Sequence, residues 1–361
     1  MNNSITDNSE INDIRTQKDF RIFSFSNYKK TEVKNKIVNE MKSGKIENAV
    51  YWSSELVCAG HYYELWDIII FFFSKFIHIG NPKIAVYLER RYEIFKNIIN
   101  QGFFITELDL RNNQNIRNLF AEIICVLSFS AKKNSFETIK INQIEEFDIS
   151  QMSDLLKAPE ILLNEIFLPK DPKEIFIALN EFAFSISQRD IVTACYWFEW
   201  IIEFNNLCIS QKKPLFCEKR EYGVEKKFKC DIIWLIWDIL FSVSICENDQ
   251  SKTEYIKKLM QSLVYLFCIK YTTASCKKKK YIIYFVIELI VDYDKVPENV
   301  EIVSEKETLK MVVEKLNNVY KEIKKNEVSP KTEYLFNGIE TKHNSFEKSI
   351  EKMEIMNSLG L

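Results

Sequence analysis

Between Lys212 and Lys229 the chain sets seven basic side chains (Lys212, Lys213, Lys219, Arg220, Lys226, Lys227 and Lys229) against three glutamates, with Phe216, Tyr222 and Phe228 interleaved. Cationic side chains neutralise phosphates and aromatic faces stack on unpaired bases, so these ten residues are a candidate contact for nucleic acid. A solvated hairpin or loop uses the same composition, and that alternative stands beside the first. A second basic run, "CKKKK" at Cys276–Lys280, fits the wet start of a helix.

Other chemistry has little raw material. Zinc sites repeat Cys or His pairs at short spacing. Here Cys58 and His61 form a single C-x-x-H, and Cys208, Cys217 and Cys230 are spread widely around the basic stretch, so no metal is expected. The histidines are His61, His78 and His343, and the first two fall at helix ends, where capping or core roles suffice. Asp67 and Asp238 each follow a tryptophan inside an apolar helix, which points to partly buried, hydrogen-bonded carboxylates rather than an acid–base dyad. Neither a G-x-x-x-x-G-K-[ST] loop nor a G-x-G-x-x-G turn is present. We expect no cofactor and no catalytic centre.

Only 7 glycines and 7 prolines punctuate 361 residues, 47% of them hydrophobic, so long helices should dominate. Net charge is −2, which gives no global field toward nucleic acid or anionic membrane. The nine cysteines are odd in number and several lie on apolar helical stripes, as reduced thiols in a cytosol-like compartment would. The two greasiest runs, Ile68–Ile79 and Tyr281–Val291, are too short to span a bilayer and are cut by Lys75 and Glu288.

Apolar spacing and punctuation predict helices over 31–43, 46–58, 61–78, 81–101, 113–131, 171–188, 190–204, 230–246, 251–272, 278–292 and 303–325. Asn81 and Asp171 read as N-caps, each with proline at the next position, and Glu174 completes a box-like pattern with Asp171. Residues 1–29 read as a flexible tail, 132–170 as a junction, and 326–361 as a polar tail with an amphipathic stretch near 343–357.

Two stretches resemble each other. Shifted by 145 residues, Ile46, Ala49, Val50, Ser53, Leu56, Val57 and Gly60 fall on Ile191, Ala194, Cys195, Phe198, Ile201, Ile202 and Asn205, one face of a helix. Tyr51-Trp52 matches Tyr196-Trp197, and Gly60 and Asn205 both read as left-handed terminators. The preceding helix keeps this shift (Val33, Ile37, Val38 and Met41 on Ala178, Phe182, Ala183 and Ile186). "LWDII" at Leu65–Ile69 and "IWDIL" at Ile236–Leu240 follow with a shift of 171, which leaves an insertion over roughly 206–231. The expectation is an all-α fold of two related multi-helix modules, 30–131 and 171–325, from an internal duplication.

In its Ile, Lys, Asn and Phe usage, and in "AVYWSSELVCAGHYYELWDIIIFFFSKFIHIGNPK" and "CDIIWLIWDIL", the chain resembles helical proteins encoded by large nucleocytoplasmic DNA viruses. That resemblance implies no particular activity. Ala49, Tyr51, Trp52, Gly60, His61, Ile79, Gly80 and Pro82 also resemble the helical collar that follows the ATPase core in clamp-loader-like proteins. Tyr62-Tyr63 stands where that family has Asp-Pro, and the ATPase core is missing. Together these imply a non-enzymatic interaction or scaffold protein of a large DNA virus, with a place in genome replication through the collar likeness. The alternatives are a nucleic-acid-binding protein using 212–229 and a packaged virion component. Partners would be proteins or nucleic acid, not membrane, in the host cytoplasm, a viral factory or the particle.

Overall fold

The computed structural model describes residues 9–100, 106–142, 146–147, 155–163, 165–243, 250–328 and 350. The fold is all-α. Among the described residues there are twelve α-helices and no strand; one isolated bridge joins Phe23 to Lys29. The first six helices are α1 (Lys30–Lys42), α2 (Ile46–Cys58), α3 (Tyr62–Phe72), α4 (Ile84–Asn100), α5 (Glu107–Asn112) and α6 (Gln114–Phe129). The second six are α7 (Phe176–Ser187), α8 (Ile191–Ser210), α9 (Ile233–Val243), α10 (Gln250–Cys268), α11 (Cys276–Val291) and α12 (Lys306–Lys324). A π-helical turn, Phe73–Ile77, prolongs α3.

Local signals explain several boundaries. Asn113 accepts from the Asn115 and Ile116 amides to start α6, and Asp190 accepts from Thr193 to start α8. Gly44 (φ +69°) ends α1 with a Schellman pair, Gly44 N to Met41 O and Lys45 N to Glu40 O.

Three expected cap or terminator residues play other parts. Asn205 does not terminate α8. It is buried within that helix, which runs on to Ser210, so residues 206–210 belong to the helix and not to the insertion. Asp171 does not cap α7. It accepts from the Leu168 and Glu218 amides, a 3₁₀ turn covers Lys173–Ile175, and α7 starts at Phe176. Asn81 spends its side-chain amide on Glu301 O (3.0 Å), and α4 begins only at Ile84.

The described part of the expected flexible tail, 9–29, is fixed against the helices. Ile11, Phe20 and Phe25 are buried in the core. Buried Glu55 of α2 accepts from Ser24 Oγ (2.7 Å), Ser26 Oγ (2.6 Å) and Ser26 N (2.9 Å). The Asn112 side chain brackets Ile11 with two backbone bonds of 2.8 Å, and Arg117 donates to Ser9 O. Apolar residues in this stretch follow no helical or strand period, so their burial has no pattern signal; it comes from polar side chains of α2, α5 and α6 that gather its backbone.

One continuous core runs through both expected modules. α11 is buried along most of its length and packs on α3 and the π turn as well as on α7 to α10. α10 lies on α4, where Ser262 Oγ donates to Glu89 (2.5 Å) and Tyr265 pairs with Glu93. α12, expected in the second module, packs on α2 and α6 of the first through Leu316, Tyr320 and Ile323, with the Arg117 guanidinium 4.0 Å from the Tyr320 ring centroid. Periodicity fixes which face of α12 is buried but not the partner it finds.

Duplication is not shown by this arrangement. Trp197 is buried against Trp200, whereas Trp52 is half-buried between Tyr28 and Tyr51.

Of the remaining expectations, the stretch 343–357 lies, except for residue 350, outside the described residues, as do parts of the junction 132–170.

Candidate functional site

The insertion folds back on itself. Cys217 N bonds to Cys230 O (2.9 Å) and Arg220 N to Lys229 O (3.0 Å), which brings its two arms together. This closure places the ten residues singled out from the sequence in three different environments.

Arg220, Tyr222 and Phe228 serve the interior. Arg220 is buried, its Nε donating to Asp238 (2.6 Å) and its Nη2 to Asp171 (2.7 Å), while further bonds go to Glu218 O and Ile166 O. Tyr222 stacks on Trp234 at 4.6 Å between ring centroids and donates its hydroxyl to Asp238 Oδ1 (2.7 Å). Phe228 meets Tyr271 edge-on, and its carbonyl accepts from Trp234 Nε1 (2.6 Å).

A second group is paired at the surface. Lys219 (2.5 Å) and Lys229 both reach Glu221, and their hydrogen bonds hold its carboxyl down to about 2. Lys227 pairs with Glu225 at 2.9 Å.

Lys212, Lys213, Lys226 and Phe216 form the third group and stand exposed. Lys212 takes the left-handed position (φ +60°) that closes α8, with Lys213 N bonded to Cys208 O. The structure therefore does not assemble the ten residues into one basic-aromatic face. Charged residues in a loop and those that anchor it have the same composition, which is why sequence could not separate them.

The carboxylates of the matched Trp-Asp pairs also part company. Asp238 is tied to Arg220 and Tyr222, whereas Asp67 is exposed.

Elsewhere α2 and α12 line an apolar groove of about 430 Å³. The fully buried residues of α12 all lie in its C-terminal half, while Leu309 and Val312 of the N-terminal half are only partly buried against the core. Ile46 and Val50 form one wall of the groove; Met311, Val312, Leu316 and Val319 form the other, with Glu47 and Lys315 also lining it. Met311 is 49% exposed. The signal for this feature is in the sequence: Leu309, Val312, Val313, Leu316, Val319, Tyr320 and Ile323 make a stripe that continues past the part of α12 buried on α2 and α6.

Among the described residues no group of three His, Cys, Asp or Glu side chains gathers to hold a metal, and no helix is long and apolar enough to cross a membrane. No protein family, curated protein or solved structure matches the chain.

Proposed function

We propose that this protein acts by binding, as a helical interaction scaffold, and that the groove between α2 and α12 takes an amphipathic helix of a partner protein. The observation that carries this reading is the groove itself. It is lined at i, i+4 spacing on α2 (Ile46, Val50) and at i, i+3/i+4 and i+7/i+8 spacing on α12 (Thr308, Met311 and Val312, Lys315 and Leu316), and no third helix among the described residues covers it. Glu47 on one side and Lys315 on the other favour an occupant whose apolar stripe is flanked by charges of both signs. Residue usage supports placing the scaffold among proteins of large DNA viruses, and the collar likeness of the α2–α4 region supports a place in genome replication.

A photo-crosslinking residue at Met311 of the full chain tests it. The expected result is a crosslink to one separate polypeptide that, once purified, binds the wild-type chain and loses binding to the Val312→Asp chain. A crosslink within the chain, or to a second copy of it, would overturn the reading.

The exposed Lys212, Lys213, Lys226 and Phe216 favour a second reading, contact with single-stranded nucleic acid. Binding would then weaken steeply with salt and fall when the three lysines become alanine.

A further inference from the structure

A cleft of about 380 Å³ opens where α1 and α3 face the start of α11, and five lysines and two carboxylates line it. The "CKKKK" run supplies three of the lysines (Lys277, Lys278 and Lys279), while Lys34 comes from α1 and Lys270 from the turn after α10. Their charges are not equally available. Lys279 is buried and gives its ammonium to Phe267 O (2.9 Å) and Ile269 O, capping α10. Lys277 pairs with Glu203 (2.7 Å), and Lys34 shares Glu64 (3.1 Å) with Lys30 (2.7 Å).

Lys270 and Lys278 remain exposed, with no ion pair among the described residues. Lys270 also holds a left-handed backbone conformation (φ +46°) that side-chain-bearing residues rarely adopt, and its ammonium stands 4.4 Å from the centroid of the Tyr63 ring. Asp67, exposed on the same wall, has neither a hydrogen bond nor an ion pair among the described residues.

We infer that this cleft binds a phosphate-bearing anion, with Lys270 and Lys278 as its principal contacts and Asp67 as the charge that limits its affinity. The cleft carries more positive than negative charge, its concavity shields the interaction from counterions, and its volume falls within the range of small-ligand sites. A flat lysine patch would lack both shape and a defined opposing charge. The site joins the two halves of the chain and is independent of the α2/α12 groove.

Titration calorimetry of the full chain with inorganic pyrophosphate at low ionic strength tests the inference. We expect one site per chain, and affinity at least about tenfold weaker in the Lys270→Gly/Lys278→Ala double variant. Both side chains are exposed and glycine suits the backbone at 270, so this variant should fold, which circular dichroism checks. Asp67→Asn should tighten binding by about threefold to tenfold, since it removes a like charge. Vesicles carrying a phosphoinositide, matched in phosphate concentration, separate a headgroup from a soluble ligand: vesicle binding tighter than that of pyrophosphate, and lost in the double variant, assigns the headgroup, and pyrophosphate binding alone assigns the soluble ligand. No pyrophosphate binding by the wild-type chain, equal binding by the double variant, or no gain from Asp67→Asn would overturn it.

Discussion

Arg220 offers a decisive test of what the insertion is for. Its side chain reaches two carboxylates and two carbonyls, and the Asp171 carboxylate it holds has no exposed surface. Replacing Arg220 with methionine keeps the aliphatic stem but removes the counterion. Asp171 retains the Glu218 and Leu168 amides, each at 2.7 Å, so it is not stripped of hydrogen bonds; what remains is a buried charge without a partner. Breaking a buried pair from one side costs about 3 to 5 kcal/mol, a large part of the roughly 5 to 15 kcal/mol that stabilises a folded domain. Arg220→Lys keeps the charge but cannot bridge both acids in the same fork, and should cost about 1 to 2 kcal/mol. The Arg220→Met/Asp171→Leu double variant should recover much of the loss, because the charge pair then goes as a unit. Urea unfolding followed by tryptophan fluorescence reads all three, with Trp234 reporting locally through its stack on Tyr222. A loss below about 1 kcal/mol in Arg220→Met would refute the anchoring argument. If single-strand binding fell instead while stability held, Arg220 would be a ligand contact.

Deleting residues 1–28 removes Ile11, Phe20 and Phe25 from the core, which costs roughly 5 to 9 kcal/mol, so the shortened chain should lose its cooperative thermal transition by circular dichroism. Gly80→Ala should destabilise by about 2 kcal/mol, because a Cβ there would stand 2.8 Å from Ala131 O and 3.1 Å from Lys133 N; Gly223→Ala, in open space, should be neutral in the same urea titration. Stability should also fall on mild acidification. Burial holds His61 and His78 below the ordinary 6.5, so the unfolded chain takes up protons first and stability declines as pH drops below about 6.5. Glu288 stands 3.0 Å from His78 and 2.7 Å from Lys133; burial opposes its ionisation, but hydrogen bonds from these two keep it below 4.5, so a further loss follows below that pH. Urea midpoints from pH 7.5 to 4 should show both phases, with the first reduced in His78→Gln; a flat profile would contradict the burial of both rings.

Helices were legible where one face is apolar and a polar cap precedes it. Asn113 and Asp190 meet both conditions, and α6 and α8 start where they should. Asp171 has the same type as Asp190 and a proline beside it, yet it serves Arg220, a residue 49 positions away. A capping residue and an ion-pair partner are chemically alike, and only the fold decides between them. Burial of the N-terminal segment was hidden for a related reason: Phe20 and Phe25 are held by the chain that surrounds them, not by a period of their own. The lysine cleft was half visible, since "CKKKK" announced charge but gave no sign that α1 and α3 would face it.

The matched stretches show how far spacing reaches. The turn after α1 recurs bond for bond at a shift of 145: Gly44 and Arg189 are both left-handed, and Lys45 N to Glu40 O (2.9 Å) has its counterpart in Asp190 N to Ser185 O (2.9 Å). The turn after α2 recurs later. Gly60 and Lys212 close their helices with the same bond pattern, and 212 − 60 = 152 is seven more than 145. Seven residues are about two helical turns, so α8 has the spacing of α2 with two turns added, and most of the matched positions are buried in both. The remaining 19 of the 26 additional positions (171 − 152 = 19) form the closed insertion. Schellman turns end a large share of all helices, so this recurrence alone does not establish descent from one ancestral hairpin. The differing surroundings of Trp52 and Trp197 weigh against equivalence of the two cores. What the shift does establish is that both hairpins meet one requirement, burying an apolar stripe after a tight left-handed turn, with glycine in one and arginine in the other.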